Sequence, residues 1–167
     1  YEPQEIEVLK PENQRDDLIR ILFFISRLLD SRRCGLVIPF FYLNQNLPTP
    51  EDVRKNIFSL SVSNKIDPLR FFDLLISHGY ILASDLESVS PGSYYRTGDS
   101  VTFWPVNETY PVRIDFDFDS IEKISFFNPE EIGSSLRSVD SLEIFSLNGF
   151  YELTASFSDY LSEKSLV

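Results

Sequence analysis

Two strand-like segments stand back to back in the second half of the chain. VRIDFDF places Val112, Ile114, Phe116 and Phe118 alternately with Arg113, Asp115 and Asp117, and SIEKISFF follows from Ser120. Successive side chains of a strand point to opposite faces, so this alternation describes a ribbon with one apolar side and one polar side. The apolar side has to be covered, which commits the region to an antiparallel pair of strands packed on a core, joined by a turn near Asp119 and Ser120.

The polar side carries the functional question. Arg113, Asp115, Asp117 and Asp119 recur at every second residue. Such a row serves as a metal site, a solvated strand face, or a docking edge for another protein. Alternate residues on one strand face lie about 7 Å apart, whereas calcium or magnesium ligands converge on one point at about 2.0–2.6 Å. A loop curls carboxylates around an ion and a strand does not. No glycine follows to supply an EF-hand turn. The spacing therefore favours a polar face over a metal site, and it leaves the solvated and docking readings open.

Composition narrows the partners. Fifteen Phe and eight Tyr in 167 residues point to a sheet-rich interior. The formal net charge of −11 repels phosphate backbones, whose binding needs Lys and Arg to displace counterions. Direct nucleic-acid binding is not expected of this chain. Cys34 is the single cysteine and opens the apolar run GLVI, so a small buried hydrophobe is expected there. His78 is the single histidine and falls where a helix is expected to stop. No apolar run approaches the ~20 residues that span a bilayer, no signal-peptide pattern opens the chain, and a cytosolic setting is the default expectation. The chain starts at Tyr1 and contains no methionine, which is expected of an excised piece of a longer protein.

Along the chain, Leu18, Ile21, Leu22, Ile25, Leu28 and Leu29 recur at helical spacing, with Arg32 and Arg33 beyond them and a short buried strand expected at Leu36 to Ile38. Thr49 is placed to cap a short helix that has Pro50 at its first position and Glu51 and Asp52 in its first turn. Phe58, Leu60 and Val62 alternate with serines as a strand does. Asp67 caps a second helix starting at Pro68, whose apolar stripe is read as Leu69, Phe72, Leu75 and Ile76, with Gly79 closing it. Beyond it come a strand, a loop, a strand, a tight Thr97-Gly98-Asp99 turn and another strand. After the central ribbon, a further strand is expected at about Ser141 to Ser146, then a short strand and a weak last helix. The fold class is α+β: a mainly antiparallel sheet of five or six strands with one packed helix.

Chemistry-bearing motifs are scarce. None of the six glycines stands in a GxxxxGK[ST] or GxGxxG arrangement, which removes phosphate-loop ATP hydrolysis, and there is no GxSxG or HExxH. Glu130 and Glu131 read as a helix start rather than as an acid–base pair. Tyr94, Tyr95 and Arg96 have the aromatic–basic character that stacks on single strands, but the acidic balance favours a strand-face pair. No catalytic residue, cofactor or metal is expected.

The run YPVRIDFDFDSIEKISFFNPEEIGSSLRSVDSLEI resembles the pattern YPxRIEFFxDEIESIRxFDPExQxSLxxxDxxxI of bacterial transcription-repair coupling factors (Mfd), of which UvrB, the excision-repair helicase, carries a related version. Upstream, GLVIP and QNLPTPEDVRKNIFSLSVSNKIDPLRFFDLLISHGY match in order, and GSYYRTGDSVTFWP stands where the family has GxFxVRGGIIDIFP. The resemblance implies that residues 57–147 form the family's domain 2, a non-catalytic module that holds the repair protein UvrA. Residues 1–50 and 148–167 would be parts of the flanking domain 1, a RecA-like fold that has lost its ATPase motifs in coupling factors. The implied partners are UvrA and other domains of the parent translocase, with no membrane. In the family, the arginine of RIEF, the arginine of VRGG and an aromatic residue shortly after RIEF face UvrA. Arg113 keeps the first position. Thr97 occupies the second with Arg96 one residue early, and Asp117 occupies the aromatic position. Arg113, Asp115 and Asp117 are the expected docking residues, with Tyr95, Arg96, Thr97 and Glu108 around them. With two positions altered, the resemblance is also compatible with a structural or autoinhibitory bracing domain that no longer binds UvrA.

Overall fold

The computed structural model describes residues 14–29, 44, 46–129, 134–149 and 153–161. Its centre is a six-stranded sheet in the order β2-β3-β4-β5-β6-β7. The strands are β2 (Ile81–Leu82), β3 (Ser93–Thr97), β4 (Ser100–Phe103), β5 (Val112–Asp117), β6 (Ser120–Phe127) and β7 (Ser135–Val139). All neighbours are antiparallel except β2 and β3, which run parallel. A separate antiparallel pair joins β1 (Ile57–Ser61) to β8 (Ser141–Phe145). The α+β class is as expected. The strand that no sequence pattern marks is Ser135–Val139, a polar run with little alternation that pairs with β6.

The segment after β1 ties the two sheets together. Val62 N–H donates to the Asp140 carbonyl at 2.8 Å, and Ser63 N–H donates to the Ile121 carbonyl at 2.7 Å. Ser63 has a φ of +70°, so the strand expected to continue through Val62 turns there instead.

Three helices accompany the strands: α1 (Gln14–Leu29), α2 (Pro50–Lys55) and α3 (Pro68–Ser77). The Thr49 hydroxyl accepts from Asp52 N–H at 3.1 Å at the start of α2. The Asp67 carboxylate accepts from Leu69 and Arg70 N–H at the start of α3, at 2.9 and 3.0 Å. Both caps satisfy donors that the first helical turn leaves unpaired. The end of α3 is closed by the chain after β8: Leu147 N–H donates to the His78 carbonyl, and the Asn148 amide donates to the Ser77 carbonyl, each at 2.8 Å. Gly79 follows with a φ of +84°, and a Cβ there would sit 2.7 Å from Asn148 Oδ1.

The apolar stripe of α3 differs from the expected one. Phe71 and Leu75 are fully buried, Phe72 is half-buried, and Leu69 and Ile76 are exposed. The sequence PLRFFDLLIS is apolar on more than one side, so periodicity alone does not select the buried face; the fit of Phe71 against the sheet does. Phe71 packs edge-on to Phe103 and tilted to Phe116, with ring centroids 5.7 and 5.8 Å apart. Around them lie Val101, Val112, Ile114, Ile121, Ile124 and Phe126, all buried.

Helix α1 buries Ile21, Leu22 and Ile25. It stacks Phe24 on Phe157 of the short 3₁₀ turn Phe157–Tyr160, and its Arg15 Nη2 donates to the Gly92 carbonyl at 2.8 Å. Leu47 and Ala155 form an antiparallel bridge, and the Tyr160 hydroxyl donates to the Pro48 carbonyl. The expectations for Cys34, Arg32, Arg33, Leu36–Ile38, Glu130 and Glu131 lie outside the described residues.

His78 makes one property of this fold measurable. Its ring stacks on Phe58 with centroids 4.2 Å apart, and burial lowers its pKa below the ordinary 6.5. The unfolded chain therefore takes up the proton first as pH falls. The contribution of neutral His78 is fully present above pH 6.5 and is lost as pH drops from there through the lowered folded value. Melting temperatures of the wild type and His78→Gln, measured from pH 8 down to about 5, are expected to converge toward the acid end. Parallel curves would remove His78 as a source of acid sensitivity.

Candidate functional site

Strand β5 has the predicted two sides. Val112, Ile114 and Phe116 are buried, Arg113 and Asp117 are exposed, and Asp115 is intermediate. The register carries the polar side across the sheet. Arg113 stands opposite Thr102 on β4 and Ser125 on β6, Thr102 stands opposite Tyr95 on β3, and Ser125 stands opposite Ser138 on β7. One step along, Thr97, Ser100, Asp115 and Lys123 form the parallel row. In β6 Glu122 is an extra residue, because Asp115 faces Lys123 while Phe116 faces Ile121. The bulge lets the apolar residues of β6 stay in phase with those of β5, at a spacing that strict alternation does not allow.

At the centre of this face three side chains close a ring. Arg113 Nε donates to Asp115 Oδ1 at 2.8 Å, Arg113 Nη2 donates to Ser100 Oγ at 2.8 Å, and Ser100 Oγ donates to Asp115 Oδ1 at 2.7 Å. The guanidinium is thereby held along the strand while 51% of its side chain stays exposed. Among the described residues Nη1 has no partner, which leaves this half-exposed guanidinium a donor for a further acceptor. A half-exposed pair of this kind adds little to fold stability; what it does is fix the orientation of a cation.

The other predicted residues are placed as follows. Tyr95 and Thr97 share the face of Arg113. Arg96 does not: it turns to the helix side, with its guanidinium 5.4 Å from the centre of the Phe72 ring and Nε donating to the Gly98 carbonyl at 3.1 Å. The reason is the strand period, since a one-residue offset from Thr97 reverses the face. Arg96 therefore lies apart from the Arg113 face. Glu108 lies in the β4–β5 connection, where its carbonyl accepts from Trp104 Nε1 at 3.1 Å. Asp117 is exposed at the end of β5. Asp119 stands 3.7 Å from Lys65 Nζ.

The aspartates are engaged separately, Asp115 by Arg113 and Ser100, Asp119 by Lys65. Among the described residues no group of three or more His, Cys, Asp or Glu is arranged to hold a metal ion, and no helix is long and apolar enough to cross a membrane.

Two contributors escaped the sequence reading. Ser100 completes the ring, and the hairpin register from the Thr97-Gly98-Asp99 turn was the signal that would have found it. Phe118, assigned to a strand, sits instead in the two-residue β5–β6 turn, 92% exposed with a φ of +52°.

Among the described residues, α3 backs one face of the sheet and the Arg113–Asp115–Ser100 ring lies on the other. A family model described as the UvrB interaction domain matches residues 58–150, more than half of the chain. UvrABC system protein B of Mycobacterium leprae is 33% identical over 136 residues, covering 81% of this chain and 19% of that protein. The protein of the same name from Rhodopirellula baltica is 26% identical over 155 residues, 90% of this chain and 21% of its own length. A transcription-repair-coupling factor of Borreliella burgdorferi is 31% identical over 87 residues, 52% of this chain and 8% of that protein. The chain spans about a fifth of the length of the UvrABC relatives it matches. It belongs to the UvrB interaction domain family.

Proposed function

We propose that this chain is a non-catalytic docking module of a nucleotide-excision-repair protein, and that the face of Arg113 binds UvrA. The observation that carries the reading is the Arg113–Asp115–Ser100 ring, which preorganises a guanidinium on a flat polar face of an interaction domain. Preorganisation removes the ordering cost that a free arginine would incur on binding. Tyr95, Thr97 and Asp117 border the contact. We assign the parent to the transcription-repair coupling factors, where capture of UvrA would bring repair to a stalled polymerase. The ordered sequence pattern and the coupling-factor match support this. Residues 1–50 and 148–167 are assigned to a flanking domain of the parent, which the Leu47–Ala155 bridge supports. The module works in the cytoplasm and, with its acidic charge, leaves DNA to other parts of the parent.

The test is capture of the UvrA encoded in the same genome by the immobilised chain. Arg113→Ala is expected to weaken capture roughly tenfold, about 1.4 kcal/mol, with the melting temperature nearly unchanged because the residue lies outside the core. Undiminished capture would remove the proposed face. The bracing alternative draws on the same ring, since Asp115 and Ser100 already hold two of the Arg113 nitrogens within the chain; wild-type protein that neither retains UvrA nor gives heat on titration would favour it. The parent gene downstream separates the two parents: a polymerase-binding module before the helicase motifs marks a coupling factor, and helicase motifs alone mark a UvrB.

A further inference from the structure

Beside the Arg113 face, the β5–β6 turn, the β3–β4 turn and the start of α3 enclose a groove of about 290 Å³ lined by Pro68, Asp99, Phe116, Asp117 and Phe118. We propose that this groove receives an arginine side chain of the docking partner. The inference rests on the docking reading for the partner's identity, and on the groove alone for the chemistry.

Its walls are the first argument. Phe116 is almost buried at the base, and Phe118 is 92% exposed at the rim. Phe118 is the first of the two residues between the paired Asp117 and Ser120, with a φ of +52°. That position suits glycine, and a bulky side chain there is out of the ordinary. The ring covers no core of its own chain. It stands instead as a free aromatic wall with Pro68 and Phe116 nearby, suited to the methylene stem and planar head of arginine.

Charge is the second argument. Among the described residues Asp99 and Asp117 have no hydrogen bond or ion pair through their carboxylates, whereas the cations around them are engaged. Arg113 is held by Asp115, Lys65 lies 3.7 Å from Asp119, and Arg96 donates to the Gly98 carbonyl. The groove thus offers two unmatched carboxylates to a cation. An anion finds no welcome at the neighbouring helix start, because Asp67 already accepts from the N–H groups of Leu69 and Arg70. Between the two cationic side chains, guanidinium is favoured: it is planar, stacks on aromatic rings, and is less strongly hydrated than an ammonium.

The experiment is a titration of the isotope-labelled chain with N-acetyl-arginine methylamide, followed by amide resonances, with the citrulline analogue as the neutral isostere. Saturable shifts at residues 98–99 and 116–119 are expected with the arginine compound only. They are expected to vanish in the Asp99→Asn/Asp117→Asn double variant. Phe118→Gly should reduce the affinity roughly two- to fivefold without lowering the melting temperature, since glycine accepts the backbone angle freely. Equal shifts with citrulline, or none with arginine up to its solubility limit, would overturn the proposal. UvrA capture separates this failure from that of the function. If Arg113→Ala weakens capture while the groove variants leave it intact, the groove proposal is lost and the docking face stands. If the arginine compound binds but UvrA does not, the groove stands and the named partner is wrong.

Discussion

Phe71→Ala is expected to destabilise the chain by about 3–5 kcal/mol. Phe71 is fully buried on α3, and its ring meets Phe103 of β4 edge-on and Phe116 of β5 at a tilt. It is the point at which the helix is fastened to two central strands. Truncation removes the transfer free energy of the ring and leaves a cavity whose walls, two other Phe rings and Leu75, cannot close without shifting the helix off the sheet. Against a net stability of about 5–15 kcal/mol for a domain, this is a large share. Urea denaturation should show a lower midpoint with an unchanged slope. A loss below about 1 kcal/mol would mean that α3 does not depend on this contact, contrary to the packing described.

Asn107→Ala is expected to cost about 2–5 kcal/mol, though it removes no apolar surface. Asn107 is buried in the β4–β5 connection. Its Nδ2 donates to the Glu143 carbonyl at 2.8 Å, and its Oδ1 accepts from Phe145 N–H at 3.1 Å. Here a side chain does for β8 what a neighbouring strand would do, and the Tyr80 hydroxyl extends the pairing by donating to the Phe145 carbonyl at 2.9 Å. Truncation strands a buried donor and an acceptor together, and each such group costs about 1–3 kcal/mol. Asn107→Asp is a useful companion, because it keeps an acceptor for Phe145 and loses the donor to Glu143. Amide exchange at Phe145 should accelerate in Asn107→Ala and less so in Asn107→Asp. Equal stability of wild type and Asn107→Ala would show that water replaces both bonds.

Local and long-range determinants of this fold divide along a physical line. The caps at Thr49 and Asp67 were legible because capping needs only neighbours in the chain. The two sides of β5 were legible because the period of a strand is a property of the backbone. The opposite directions of Arg96 and Thr97 follow from the same rule. What was misread depended on partners distant in sequence. Of the apolar stripe expected on α3, Leu75 is fully buried and Phe72 half-buried, but Leu69 and Ile76 are exposed and Phe71 is buried instead, because a helix apolar on several sides is oriented by the sheet it meets. Strand β7, polar and weakly patterned, exists because β6 has an edge to offer it.

The alternation of charge and apolar bulk in the central ribbon determined by itself that a sheet would form there with Arg113, Asp115 and Asp117 on one side, since side-chain direction is set by local geometry. Only the tertiary structure decided that Ser100 would lock Arg113 against Asp115, that Arg96 would leave that face for Phe72, and that Asp99, Asp117 and Phe118 would gather beside Pro68. Those arrangements are set by which strands pair, in what register, and where the helix docks, and these depend on contacts between residues far apart in the chain.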